Sequence, residues 1–216
     1  HIKGLIMNIF HSHWKSLLKV GYISSLLTPI VKVTKHVGKK EKSFYNLTDF
    51  DYWRNSNNGG KGWTIKYYKG LGTSNSKEAK EYFNNMNLVK YTWNEESDEP
   101  IDKAFNPKRP NDRKEWLSGW DKNNIIKDQT KCVTYNDFVD RELIHFSQAD
   151  NKRSIPSISD GLKVSLRKIL YSCFKRNLKT EIKVAQLAGY VSEHSAYHHG
   201  EASLQGAIVG MAQYYT

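Results

Sequence analysis

The chain has 216 residues and a formal net charge of +11, from 33 lysines and arginines against 22 aspartates and glutamates. At 25.0 kDa, with a mean hydropathy of −0.68 and no apolar run of spanning length, it is large enough for a real core or two small ones, and composition argues against membrane spans. Two cysteines, Cys132 and Cys173, are too few for a disulfide scaffold and lack metal-ligand spacing, which fits a reducing compartment, while a pI near 9.4 points to a polyanionic partner.

Both ends read as internal to a longer protein: the first residue is His1, no signal-peptide pattern follows, and Gly206 to Thr216 still reads as helix. Residues 5–20 place Leu5, Ile6, Ile9, Phe10, Trp14, Leu17 and Leu18 on one helical stripe, with Gly21 just past its end. Ile30 to Lys35 reads as a strand, Gly38 to Lys42 as a charged turn and Ser43 to Tyr45 as the returning strand. A short helix is expected from Thr48, its N-cap, to Arg54, then a loop over Asn55 to Gly62 and a strand over Trp63 to Tyr68. Lys69-Gly70-Leu71-Gly72-Thr73 then turns into a helix near Asn75, where Glu78 completes a capping-box pattern. This first stretch is mixed α/β.

Residues 94–131 differ in kind. The run Glu95 to Pro100 is acidic, Pro107 and Pro110 follow, and only Asp112 to Trp120 looks helical, so the segment is expected to be a connector. Tyr135 to Ser147 reads as an amphipathic helix leading into a second domain near Asn151. There, Leu166, Ile169, Leu170 and Cys173, then Val184, Leu187, Ala188 and Val191, then Leu204, Ile208, Met211 and Tyr215 mark three short helices. Such a set suits a helix-turn-helix or winged-helix module.

Charge concentrates in that module. From Lys152 to Lys183 nine basic residues, including Lys163, Arg167 and Lys168, meet only Asp160 and Glu181. A solvated helix face is the ordinary meaning of a charge run; the missing balancing glutamates and the three-helix setting favour contact with DNA phosphates. Tyr197-His198-His199-Gly200 sits where a helix start and a glycine would let a phosphate approach, though a turn capped by its histidines has the same pattern. Two rival chemistries fit poorly. His194 and His198 have a zinc-friendly spacing, but Ser195 stands where the metalloprotease motif needs Glu, and no Cys lies nearby. The Gly70-Leu71-Gly72 turn lacks the Gly-Lys-Ser/Thr ending of a nucleotide P-loop, although Lys69 is placed to meet a phosphate backbone.

Several of these segments together resemble the central region of eukaryotic-type type II DNA topoisomerases. They are Tyr67-Tyr68-Lys69-Gly70-Leu71-Gly72-Thr73-Ser74, Ser76 to Phe83, Asp112-Arg113-Lys114-Glu115-Trp116-Leu117, Arg153 to Ser157, Asp160-Gly161-Leu162-Lys163, Lys183 to Gly189 and Tyr197-His198-His199-Gly200-Glu201. The likeness runs in order from end to end. It implies an α/β TOPRIM portion followed by a mainly helical winged-helix portion: residues 1–110 the latter part of TOPRIM with an insert, 111–150 a connector, and 151–216 the start of the winged-helix domain.

The resemblance also implies an activity: cleavage and religation of both strands of duplex DNA through a phosphotyrosyl link, with a second duplex passed through the break. The enzyme would be a homodimer that uses Mg2+ and ATP. Both cofactor sites, the metal-binding Asp-x-Asp-x-Asp run and the catalytic Arg-Tyr pair fall outside these residues by the family pattern, so no metal ligand and no nucleophile is expected here. Arg113, Lys114, Lys163 and Tyr197 match DNA-contacting positions, and His199 matches a histidine near the scissile phosphate that would stabilise the transition state. Lys69, Arg167 and Lys168 join them on charge and placement.

Val164 replaces the proline common after Gly-Leu-Lys, and the stretch between Trp120 and Gln129 is short. With the Asn- and Lys-rich composition, this leaves a protist or a large DNA virus open as source beside other eukaryotes, with the nucleus expected if cellular, or the host cytoplasm, virus factory or virion if viral. The alternative from another class is a non-catalytic winged-helix DNA-binding or chromatin protein.

Overall fold

The computed structural model describes residues 1–35, 38, 40–68, 70–127, 130–197 and 200–213. Packing divides the chain into two units, His1–Phe146 and Ser147–Thr216.

The first unit opens with α1 (Ile2–His13) and α2 (Lys15–Lys19), separated at Trp14, whose φ of −140° and ψ of 49° break the helix. The expected single stripe is therefore corrected. Leu5, Ile6, Ile9 and Trp14 are exposed, and the buried side of these helices runs through Gly4, Met7 and Leu18. Gly4 decides this rotation. A Cβ there would meet the Phe105 ring at 3.0 Å and Leu143 at 3.1 Å, so the helix comes closest where it has no side chain.

Strands β1 (Ser24–Leu26), β2 (Val31–Lys35), β3 (Lys40–Phe44) and β4 (Thr64–Tyr67) flank α3 (Leu47–Ser56). β2 is the centre of an antiparallel sheet ordered β3-β2-β4, with Val31 opposite both Phe44 and Tyr67. Because β3 already starts at Lys40, the expected turn is shorter than Gly38 to Lys42. Val31, Val33, Phe44, Phe50 and Trp53 form the core between this sheet and α3. Asn46, not Thr48, caps α3: its side chain accepts from the Asp49 N–H at 2.7 Å. α4 (Ser76–Asn84) begins on the expected capping box, with both reciprocal bonds between Asn75 and Glu78 present.

A second sheet, β1-β5-β6, pairs β1 antiparallel with β5 (Leu88–Thr92) and β5 parallel with β6 (Cys132–Thr134). The expected connector is largely structured. It contains α5 (Asp98–Phe105) as well as α6 (Pro110–Ser118). The acidic run that looked like a linker is a helix start: Asp98 and Glu99 suit the positive end of the dipole, and Pro100 lies in the first turn, where a backbone N–H has no intrahelical partner. Ile101 is buried, and Trp116 of α6 packs on the same core and donates to Asp140 at 2.8 Å. The helix begun at α7 (Tyr135–Phe138) passes through a π-helical segment, Val139–Leu143, into α8 (Ile144–Ser154), longer than the expected end at Ser147.

In the second unit, α9 (Val164–Lys175), α10 (Val184–His194) and α11 (Glu201–Ala212) enclose Ile169, Leu187, Ala188, Val191, Tyr197, Leu204 and Ile208. The expected face of α10 is the buried one. On α9 only Ile169 of the expected four is fully buried, Met211 at the end of α11 is exposed, and Tyr215 of the expected third helix lies outside the described residues. Among the described residues this unit has no strand.

Candidate nucleic-acid interface

A cleft of about 340 Å³ in the second unit is lined by Arg153, Ser154, Lys163, Val164, Ser165, Lys168, Tyr197 and Ser203. Val164 and Ser165 are the first residues of α9, and Ser203 lies in the first turn of α11. Two helix N-termini, each with N–H groups that have no intrahelical partner and a positive dipole end, thus border one cleft. Lys163 is the residue before α9, extended at φ −75° and ψ 158°, and gives the helix no side-chain cap. Lys163 is exposed. Tyr197 belongs to the core cluster and also lines the cleft, with 8% of its surface exposed.

The other cations of this region are partnered. Arg153 pairs with Asp150. Arg167 makes a two-pronged contact with Asp160 (Nε to Oδ2 2.7 Å, Nη2 to Oδ1 2.8 Å) and also donates to the Leu162 carbonyl at 3.1 Å. The guanidinium of Arg167, helped by the Leu162 N–H, holds the Asp160 carboxyl at about 2. Lys168 donates its ammonium to the carbonyl of Ala196 at 2.7 Å. Arg167 and Lys168, grouped in the sequence with the DNA contacts, are therefore committed to the protein in this structure.

Arg113 and Lys114 lie in the first unit. Arg113 donates to the carbonyls of Asn106 and, at 3.4 Å, Lys103, so it ties α6 to the end of α5, whereas Lys114 next to it is exposed. Arg109, which the sequence did not single out, joins the same helices by binding Glu99, Asp102 and Asp112, and its guanidinium is held well above its usual range by those three carboxylates. Lys69 and His199 lie outside the described residues, as does His198. The His194 ring stacks on Tyr190 at 4.0 Å and its Nδ1 donates to the Tyr190 carbonyl at 3.0 Å. Among the described residues no group of three or more His, Cys, Asp or Glu side chains is placed to hold a metal ion. The serines of the cleft, Ser154, Ser165 and Ser203, carried no signal in the sequence beyond their nearness to helix ends.

Comparison with known proteins follows the same division. Residues 26–151 match the family described as the C-terminal associated domain of TOPRIM, and residues 153–216 match the DNA gyrase/topoisomerase IV family. The chain is 54% identical over 217 residues to a probable DNA topoisomerase 2 of Dictyostelium discoideum, covering 99% of this chain and 14% of that protein. It is 52% identical over 220 residues to DNA topoisomerase 2 of Arabidopsis thaliana, covering 100% of this chain and 15% of that protein. The chain thus spans about one seventh of the length of these relatives. In three dimensions it resembles the crystal structure of the Plasmodium falciparum topoisomerase II DNA-binding, cleavage and re-ligation domain, with a TM-score of 0.84 and 49% identity, covering 100% of this chain and 30% of that one.

Proposed function

The chain belongs to the family of the C-terminal associated domain of TOPRIM, and from this we propose that it is the central part of an ATP-dependent type II DNA topoisomerase. The whole protein would work as a homodimer, cleave and religate both strands of a duplex through a phosphotyrosyl link, and pass a second duplex through the break. The contribution of these residues is surface for DNA. One observation carries that assignment: Lys163, Tyr197 and the first turns of α9 and α11 converge on a single cleft. An exposed ammonium, a phenol and two helix N-termini suit a phosphate backbone, and none of them reads base sequence, as an enzyme acting on DNA topology requires.

Lys114 adds an exposed cation in the first unit, with Arg113 bracing the helix that carries it. His199 enters the proposal on the resemblance, and Lys69 on charge and placement. ATP and Mg2+ are the cofactors of the proposed enzyme. The described side chains do not form a metal-holding cluster, so no step is assigned to Mg2+ through them.

Duplex affinity of the full-length protein, measured against salt concentration, tests the assignment. Binding is expected to tolerate any sequence and to weaken steeply with salt. Lys163→Ala should reduce affinity on all duplexes and lower the slope of log affinity against log salt by about one. A salt-independent affinity, or one indifferent to Lys163→Ala, would overturn it.

A further inference from the structure

Lys168 does something other than its charge suggests. It sits in the second turn of α9, half-buried, and its ammonium reaches a carbonyl 28 residues away, that of Ala196, at 2.7 Å. Ala196 lies just beyond the C-cap of α10 and adopts the left-handed region, with φ +49°, a conformation that costs an alanine. The carbonyl that Lys168 holds belongs to the peptide bond joining Ala196 to Tyr197. Fixing that oxygen fixes the plane of the peptide, and with it the direction in which the chain leaves for Tyr197 at the cleft wall.

We propose that Lys168 is a positioning residue, which locks the Ala196–Tyr197 peptide and so presents Tyr197 to the cleft, rather than a ligand of DNA phosphate. This rests on the reading of the cleft as a DNA surface. Its neighbour Arg167 acts in parallel on the segment before Lys163, binding Asp160 and the Leu162 carbonyl. Two consecutive cations on α9 thereby each hold a segment next to a residue of the cleft, Leu162 beside Lys163 and Ala196 beside Tyr197. An ammonium suits this task because a charged donor to a carbonyl makes a stronger bond than a neutral one.

The decisive comparison is between Lys168→Met, Lys168→Gln and Lys168→Arg in the full-length protein. Readouts are hydrogen exchange in the peptide covering residues 195–197, the salt slope of duplex binding, and the rate of supercoil relaxation. Lys168→Met is expected to speed exchange and slow relaxation about tenfold or more, with the salt slope unchanged. Lys168→Gln, which keeps a neutral donor, should fall between, and Lys168→Arg should restore both rates. A slope reduced by about one with unaltered exchange would make Lys168 a phosphate ligand and overturn the proposal. Unaltered exchange and relaxation in both the Met and Gln variants would overturn it as well. Failure of the DNA reading shows separately, as an affinity that does not respond to Lys163→Ala.

Discussion

The Tyr68 hydroxyl donates to Oε1 of Glu78, the same carboxylate that closes the capping box of α4. Oε2 accepts from the Asn75 N–H at 2.9 Å and from Lys66 Nζ at 3.0 Å. Close by, Lys32 is buried, lies over the Tyr82 ring at 5.1 Å and approaches Glu81 at 3.8 Å. Val31 and Val33 point to the α3 side of the sheet, so Lys32 and Lys66 occupy the side that meets α4. No residue of α4 is fully buried. This helix is attached to its sheet by ions and hydrogen bonds, whereas α3 on the opposite face is attached by aromatic packing.

Attachment of α4 should therefore depend on the ionisation of Glu78. Burial alone would raise its carboxyl, but the bonds from Tyr68, the Asn75 backbone and Lys66 lower it from 4.5 to about 2. A folded-state value below the unfolded one gives stability that is present above about pH 4.5 and lost as pH falls towards 2. Protection against hydrogen exchange over residues 76–84, measured relative to the intrinsic rate at each pH, is expected to fall in that window before protection in α3 does. Glu78→Gln should reproduce the loosening at neutral pH, at a cost of about 1–3 kcal/mol in a denaturant titration. Equal exchange of the two helices through the acid window would refute a polar attachment.

Arg113 and Lys114 are adjacent but should separate cleanly by experiment. Arg113 donates to carbonyls at the end of α5, so Arg113→Met is expected to destabilise the first unit by about 1–3 kcal/mol, seen as a lower denaturation midpoint. Lys114 is exposed, and Lys114→Ala should leave that midpoint unchanged while weakening duplex binding and flattening its salt slope. The reverse pattern would return Arg113 to the DNA surface.

Some of this could be read from the sequence and some could not, for physical reasons. α10 was legible because Leu187, Ala188 and Val191 are apolar and all face the core. The seam of α1 was not, because its closest contact is made by Gly4, which no hydrophobic pattern marks. α5 was mistaken for a linker because Asp98, Glu99 and Pro100, favourable at a helix start, are also what linkers contain. At the cleft, the basic cluster marks Lys163 and the Tyr197-His198-His199-Gly200 turn marks Tyr197, and the resemblance matches both to DNA-contacting positions. Charge alone could not show that Arg167 and Lys168 are occupied, since their partners lie 7 and 28 residues away. An ion pair seven residues off or a carbonyl at the end of another helix is a product of folding, and composition records only the cation.

Two tyrosines of the main core carry opposite expectations. Tyr91 and Tyr135 are both buried, with ring centroids 6.1 Å apart, against the same cluster of Val133 and Phe138. The Tyr91 hydroxyl lies 3.2 Å from Ser25 Oγ, bridging β5 to its neighbour β1. The Tyr135 hydroxyl has no hydrogen-bond partner among the described residues, and burial pushes it up to about 12. A buried hydroxyl without a partner opposes folding, so removing it relieves a desolvation cost while keeping the ring. Tyr135→Phe is thus expected to leave stability unchanged or raise it by up to about 1 kcal/mol, whereas Tyr91→Phe should lower it by about 1 kcal/mol by stranding Ser25. Chemical denaturation of the two variants side by side decides the matter. A loss in Tyr135→Phe as large as that in Tyr91→Phe would mean that the Tyr135 hydroxyl is bonded after all.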